Sequence, residues 1–396
     1  MSNDTGSGTS TDDWWRYFPD HYLWSIMMLA PMSMAPWGWA EIGEVDRVGR
    51  SLQAHQGDAQ RWFDEWNAMA DHVAAIAERT AVEGSAYSAA RHWRRVACYR
   101  LVADLLRHPK DAVADDCFAA ARDAFDRAAV HAPEAIVERV DVPFGDTALP
   151  SLFARAAGAS PDRPRPALIA LNGFEGCKEY TYMHGYESLA RDRGVHVLAM
   201  DSPGMGESLR TRGIHLRHDC EVVAAAAIDH LATRADVEAS RIAISGSSFG
   251  GYHASRAASR EPRLAAAVAW GAIWDYHADW SHRIALAEQS NVAGVARNLL
   301  TVFGVDSTEA ALERLRPFRL EDVVGDMRCP FLVVHGEHDQ QIPLADAQRL
   351  YTASGSADKT LKIFTGAEGG AQHCQIDNLS LGAAYVHDWL VAQLGA

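Results

Sequence analysis

At 396 residues, with 48 % hydrophobic and 22 % charged content, the chain suits one large catalytic domain plus an elaboration, or two domains, with a sizeable core. A formal net charge of −15 argues against nucleic acid or an anionic membrane surface as partner, since both need basic patches, and leaves a small neutral substrate open. The six cysteines are scattered, with no C-x-x-C pair, no metal-type spacing and no secretory signal before them, so they read as reduced thiols of a cytoplasmic protein.

Residues 1–12 are rich in Ser, Thr, Gly and Asp and read as a disordered tail. The apolar stretch Tyr22–Ala40 follows Asp12 and Asp13 rather than a basic region and is interrupted by Pro31 and Pro36. It is too short and too broken to span a bilayer. Trp14, Trp15, Trp24, Met27, Met28, Met32, Met34, Trp37 and Trp39 crowd this segment, which suits either an adaptable pocket wall or a core that packs one domain onto another. Apolar residues then recur at helical spacing over 54–77, 86–106 and 112–129, so 13–133 is expected to be a helical N-terminal cap domain ending near Pro133.

From 134 to 396 the period changes. Residues 135–143 and 149–155, separated by Gly145-Asp146, read as a hairpin. Short apolar runs of buried-strand type follow at 167–171, 195–200, 242–245, 265–270, 331–335 and 361–364, with helical segments between most of them. The expectation is an α/β class domain: an eight-stranded, mostly parallel sheet with helices on both faces. The interval 272–329 is too long for a structureless loop. With its aromatic cluster Trp274–Trp280 and helical texture near 284–301 and 308–316, it reads as a helical lid inserted over the sheet edge. A last helix is expected over 379–394.

The fifth of these strands runs into Gly246-Ser247-Ser248-Phe249-Gly250 and then a helical stretch. This is G-x-S-x-G in a strand–turn–helix setting, the nucleophile elbow of α/β-hydrolases. Ser248 is the candidate nucleophile; Ser247 lacks the flanking glycines. Such a serine needs an imidazole to take its proton and a carboxylate to orient that imidazole, in the chain order Ser, acid, His. Asp339 follows strand 331–335 and His373 follows strand 361–364, which makes them the candidate acid and base. Glu337, two residues early on the same loop, is an alternative acid, whereas His335 and His338 precede the acid and fit the strand and loop better. Oxyanion donors are expected from the backbone N–H groups of Phe249, next to the nucleophile, and Phe174, after Gly173 on the loop beyond the third strand. The loop Asp201–Ser208 lacks the glycine order and lysine of a phosphate loop, and no spacing presents metal ligands on one helix face, so neither cofactor nor metal is expected.

Taken together, Gly173-Phe-Glu-x-x-Lys-Glu179, Asp201-x-Pro-Gly-x-Gly-Glu207, Gly246-x-Ser-x-Gly-Gly251, Glu261–Ala266, Trp270-Gly271, His335-Gly-x-x-Asp339 and His373-Cys374 make the chain resemble the α/β-hydrolases related to 2,6-dihydroxypseudooxynicotine hydrolase and the fungal hydrolases that shorten polyketide chains. The resemblance covers roughly 135–396 and extends to the helical N-terminal domain. It implies a helical cap that closes the site together with the inserted lid, a Ser248–Asp339–His373 triad, and a homodimer in many members. It also implies an auxiliary carboxylate near the lid in members that cleave a carbon–carbon bond beside a ketone; Asp279 or Asp275 could fill that position here.

The mechanism these residues support is acyl transfer from a large apolar or aromatic carbonyl substrate to water, through an acyl-enzyme on Ser248. Two other readings use the same fold. A transferase or cyclase would pass the acyl group to another nucleophile, and a non-catalytic binding protein would use the pocket alone.

Overall fold

The computed structural model describes residues 14–130, 137–289 and 296–396. The N-terminal tail, Pro133 and the middle of the 272–329 interval lie outside them. Among the described residues before the first strand lie five α-helices: α1 (Tyr22–Met34), α2 (Ile42–Leu52), α3 (Ala59–Val82), α4 (Ala86–Leu105) and α5 (Ala112–Val130). The 54–77 periodicity does not correspond to one helix. Gly57 takes φ 87° and ends the turn after α2, and the Asp58 carboxylate accepts from the backbone N–H of Gln60 and Arg61, starting α3 afresh. Pro31, expected to interrupt its segment, lies inside α1. It removes one backbone donor near the helix end, and burial of Trp24, Met28, Leu29 and Met32 around it holds the helix together.

The strands are β1 (Val137–Phe144), β2 (Thr147–Ala154), β3 (Arg165–Leu171), β4 (His196–Met200), β5 (Val237–Ser247), β6 (Ala266–Trp270), β7 (Phe331–Gly336) and β8 (Lys359–Phe364). They form one eight-stranded sheet in the order β1-β2-β4-β3-β5-β6-β7-β8, antiparallel at β1/β2 and β2/β4 and parallel elsewhere. The helices around it are α6 (Lys178–Thr181), α7 (Glu187–Arg193), α8 (Gly206–Arg210), α9 (Glu221–Ala232), α10 (Phe249–Arg260), α11 (Tyr276–Gln289), α12 (Arg297–Phe303), α13 (Thr308–Leu315), α14 (Leu344–Ala353) and α15 (Leu379–Leu394). Of these, α11, α12 and α13 fall between β6 and β7.

The strands' two-residue period divides the interior into two cores. Leu168, Ala170, Val197, Ala243, Val268 and Leu332 face one side, where they join Trp24, Met28, Trp62 and Trp66 of the N-terminal helices and Leu390 of α15. Ala167, Ile169, Leu198, Ile244, Ala267 and Val333 face the other, with α9, α10 and the helices between β6 and β7. The N-terminal helices therefore share a continuous core with the sheet. Trp24, Met28, Met34 and Trp39 are buried within it. Among the described residues, no helix is long and apolar enough to cross a membrane.

Candidate active site

Strand register brings the functional loops together. β3 and β5 are neighbours with Leu171 opposite Gly246, and β5 and β6 are neighbours with Ser247 opposite Trp270. β3 leads one way in the sheet and β5 the other, so the crevice beyond their ends is where such sheets bind ligands. Two residues past the β3–β5 pair, Gly173 meets Ser248: a Cβ on Gly173 would lie 3.5 Å from the Ser248 Cβ.

Ser248 adopts φ 56° and ψ −120°, a conformation rare outside glycine. Its N–H donates to Trp270 O at 2.7 Å and its carbonyl accepts from Gly251 N at 2.8 Å, which locks the turn from both sides. The flanking glycines are required by space. A Cβ on Gly246 would lie 2.2 Å from Gly250 O, and one on Gly250 would lie 2.6 Å from Asn172 O. The result is a partly exposed serine at the start of α10, with the Phe249 ring packed edge-on to that of Phe174 at 5.9 Å. The two residues read as oxyanion donors thus touch each other beside Ser248.

Asp339 follows β7. Its Oδ1 accepts from the N–H groups of Gln341 (2.8 Å) and Ile342 (3.0 Å), and its Oδ2 receives His373 Nδ1 at 2.7 Å. Glu337 instead turns outward, accepting from Gly366 N at 3.1 Å. His335 is enclosed in the core, with Nδ1 facing Ala272 N at 3.4 Å and Nε2 facing Ile342 O at 3.1 Å. His373 opens a short 3-10 turn that the sequence pattern did not single out. On one side Asp377 accepts from three successive amides, Gly370 at 2.9 Å and Ala371 and Gln372 at 3.0 Å. On the other, Cys374 and Gln375 take φ of 50° and 55°, and Trp270 Nε1 donates to Gln375 Oε1 at 2.6 Å. Gly271 lies where the loops converge: a Cβ there would be 2.8 Å from Cys374 Sγ and 3.2 Å from Ser248 N.

Electrostatics couple the pair. Burial disfavours an imidazolium at His373, but the Asp339 carboxylate and the Cys374 thiol outweigh it and raise the histidine's pKa well above its ordinary 6.5. Burial likewise works against the Asp339 carboxylate, and His373 overrides it and lowers that pKa. Asp279 on α11 behaves oppositely. Burial, reinforced by Asp346, Asp275 and Asp339 and opposed by Arg283, pushes it up to about 7. Its Oδ2 is buried without a hydrogen-bond partner among the described residues. Asp275 is spent at the start of the same helix, where its Oδ1 accepts from Ala278 N at 2.9 Å.

Under the β3 loop lies a cluster to which the sequence motifs assigned no role. Lys178 Nζ meets Asp201 Oδ2 at 2.9 Å, Glu207 Oε2 at 2.7 Å and Glu179 Oε1 at 3.4 Å, with only 1 % of its side chain exposed. Asp201 Oδ1 also accepts from Lys178 N at 2.6 Å and Asn172 Nδ2 at 3.3 Å, so one carboxylate ties both ends of the segment 172–178. Arg139 and Arg122 complete the cluster on Glu179 and Glu207, each at 2.8 Å. The signal in the sequence was a Lys-Glu pair and a strand-end Asp in the two quoted motifs.

A cavity opens between α4, α12 and the β3 loop, lined by Leu101, His108, Phe118, Glu175, Tyr180 and Asn298 among others. The Trp/Met-rich segment does not line it: Trp24, Met28, Met32, Met34 and Trp39 are buried in the first core, Trp14, Met27 and Trp37 pack against it, and Trp15 is exposed. Among the described residues, no group of three or more His, Cys, Asp or Glu could hold a metal ion.

Residues 182–395 match the model of the prolyl oligopeptidase family. The hydrolase LUC6 of a Fusarium species is 26 % identical to this chain over 96 % of it and 98 % of its own length. A 20-hydroxy-prefusarin hydrolase of Gibberella moniliformis is 27 % identical over 93 % and 96 %. The 2,6-dihydropseudooxynicotine hydrolase of Paenarthrobacter nicotinovorans is 33 % identical over 46 % of each chain. Among solved structures, 2,6-dihydroxy-pseudo-oxynicotine hydrolase superposes with a TM-score of 0.73 over 91 % of this chain and 96 % of that one, at 24 % identity. AbyA5 superposes with a TM-score of 0.67 over 92 % and 94 %, at 20 % identity. Both are likenesses of fold, and they extend through the N-terminal helices as well as the sheet.

Proposed function

We propose that this chain, which belongs to the prolyl oligopeptidase family of α/β-hydrolases, is a serine hydrolase that cleaves an apolar or aromatic carbonyl compound through an acyl-enzyme on Ser248. The observation that carries the reading is the 2.7 Å hydrogen bond between His373 and an Asp339 carboxylate whose other oxygen is held by two amides. Such an arrangement fixes the imidazole tautomer and stabilises the imidazolium formed when His373 takes the Ser248 proton. The Phe174 and Phe249 N–H groups bind the oxyanion of the tetrahedral intermediate. His373 returns the proton to the leaving group, and water then attacks the acyl-enzyme with His373 again as base.

The helices before β1, with α11 to α13, act in this proposal as cap and lid over the crevice. The bond we assign is a carbon–carbon bond next to a ketone. The leaving group is then a carbanion or enolate, and the proton it takes as it departs is the one His373 carried from Ser248. Asp279 supports this choice over an ester: its Oδ2 is buried without a hydrogen-bond partner among the described residues and its pKa is pushed up to about 7, so the protonated carboxyl can donate a hydrogen bond that stabilises the departing enolate while His373 delivers the proton. The relatives named for action on a prefusarin and a pseudooxynicotine make compounds of that polarity the first substrates to try. A panel of activated aryl esters and aryl β-diketones, with products identified by mass, tests the assignment. Turnover of esters alone removes the carbon–carbon reading, and absence of ¹⁸O from the product acid in labelled water removes hydrolysis in favour of acyl transfer.

The pH dependence follows from the His373 shift. The base works only when neutral, and its pKa is raised, so kcat/KM is expected to fall on acidification with a midpoint above 6.5. Asp339→Asn removes the carboxylate that raises it. That variant should lose roughly 10⁴-fold in kcat, as loss of the orienting carboxylate does in serine hydrolases, and its residual activity should show the limb moved to lower pH. A wild-type limb centred well below 6.5 would contradict the assignment of His373 as base.

A further inference from the structure

The Ser248 reading leaves one residue of the β3 loop without a part. Glu175 follows the oxyanion donor Phe174, and the two form the centre of a turn closed by the Gly176 N–H donating to Gly173 O at 3.0 Å. Its φ is 62°, at the turn position where glycine or asparagine is the usual choice. A glutamate there carries backbone strain that contacts of its side chain must offset. The side chain is held on two sides. Asn298 of α12 donates its Nδ2 to Glu175 Oε2, and His108, just beyond α4, brings its Nε2 to 3.4 Å from Oε1. One carboxyl therefore bridges the helices before the sheet, the helices between β6 and β7, and the turn that carries Phe174.

We propose that Glu175 is a positioning residue that fixes the Phe174 oxyanion donor by anchoring its turn to Asn298 and His108. The proposal rests on the reading of Ser248 as an acyl-transfer nucleophile. The ends of the same segment are already tied by Asp201, which accepts from Asn172 and Lys178. The Phe174 ring packs against Phe249, Tyr276 and Trp280 at 5.5–6.0 Å between centroids. What Glu175 adds to these apolar contacts is the polar tether of the turn's tip. An oxyanion donor acts through its placement at the position the developing charge will occupy, so a loose tip lowers kcat and leaves ground-state binding alone.

Three substitutions separate the anchor from the backbone. Glu175→Gly suits the positive φ and removes the anchor. Glu175→Gln keeps an acceptor for Asn298. Asn298→Ala removes the anchor from the other side. With 4-nitrophenyl butyrate as probe, Glu175→Gly is expected to lose about 10²-fold in kcat, the scale of one oxyanion donor, with KM within about threefold. Glu175→Gln should recover most of the loss. Asn298→Ala should cost several-fold alone and nothing further on top of Glu175→Gly. A Glu175→Gly enzyme with wild-type kcat, or a loss confined to KM, overturns the positioning role. Labelling of wild-type Ser248 by a fluorophosphonate checks the underlying reading separately. No label overturns both, whereas label together with an active Glu175→Gly enzyme overturns only the role of Glu175.

Discussion

Ser248→Ala is expected to lower kcat by roughly 10⁴- to 10⁶-fold and to leave the fold intact, as removal of the nucleophile does in other serine hydrolases. The stability half of this expectation comes from the elbow itself. The turn is held by backbone hydrogen bonds from Ser248 N to Trp270 O and from Gly251 N to Ser248 O, and neither involves the hydroxyl. Alanine meets the same backbone strain at φ 56° that serine does. His373→Ala should cost a similar factor in kcat. Because members of such a unit act together, the double variant should be little worse than either single one. Single-turnover measurements on the substrate found in the panel, with thermal unfolding alongside, check both halves. A Ser248→Ala protein turning over within tenfold of wild type would remove the acyl-enzyme and everything built on it.

Why the fold was so legible is clear from particular elements. The buried strands β3, β4, β6 and β7 and the second half of β5 are short apolar runs, and in a parallel sheet covered on both faces a strand has no polar side to hide it; the first half of β5, Val237–Arg241, is more polar and was not expected from its sequence. Less legible were features set by contacts distant in sequence. The break between α2 and α3 depends on Gly57 and the Asp58 cap, short signals inside a helical period. The passage of α1 through Pro31 depends on burial among α2, α4, α15 and the turn that carries His373, which overrides the local penalty. In the candidate site, chain order told which loops could converge. It did not tell that Glu337 turns away to Gly366 while Asp339 faces His373, since that depends on two backbone amides two and three residues on. The Trp/Met-rich segment was open between pocket wall and core because composition alone cannot distinguish them. Most of it, from Trp24 to Trp39, is buried in the core that also holds Leu168 and Val197, which composition could not show.

Lys178→Met should be the most destabilising of the side-chain substitutions considered, about 3–5 kcal/mol in urea unfolding at pH 7, because it leaves buried carboxylates without their cation. Methionine fills nearly the same volume, so packing loss is small and the effect isolates charge. The three carboxylates are not equal. Glu207 keeps Arg122 and Glu179 keeps Arg139, while Asp201 is left with only hydrogen bonds from backbone and Asn172. Burial already raises the Asp201 pKa with Lys178 present, and without the ammonium it rises further. A carboxyl whose folded pKa lies above its unfolded value destabilises as pH rises past the unfolded value, so the deficit should shrink between pH 7 and pH 5 as Asp201 takes up a proton. Glu179 sets the opposite trend in the wild type. Burial disfavours its charge, but Lys178 and Arg139 hold its pKa down at about 2, so it contributes stability above its ordinary 4.5 that is lost only as pH falls towards 2. Wild type and variant should therefore converge on acidification. A deficit below 1 kcal/mol at pH 7, or one that widens towards pH 5, would mean that the cluster is solvated in solution and does not hold the 172–178 segment. The loss of kcat in the variant should be much smaller than the loss of stability, since the Lys178 N–H and the Asn172 amide that Asp201 holds beneath the Phe174 turn do not involve the ammonium.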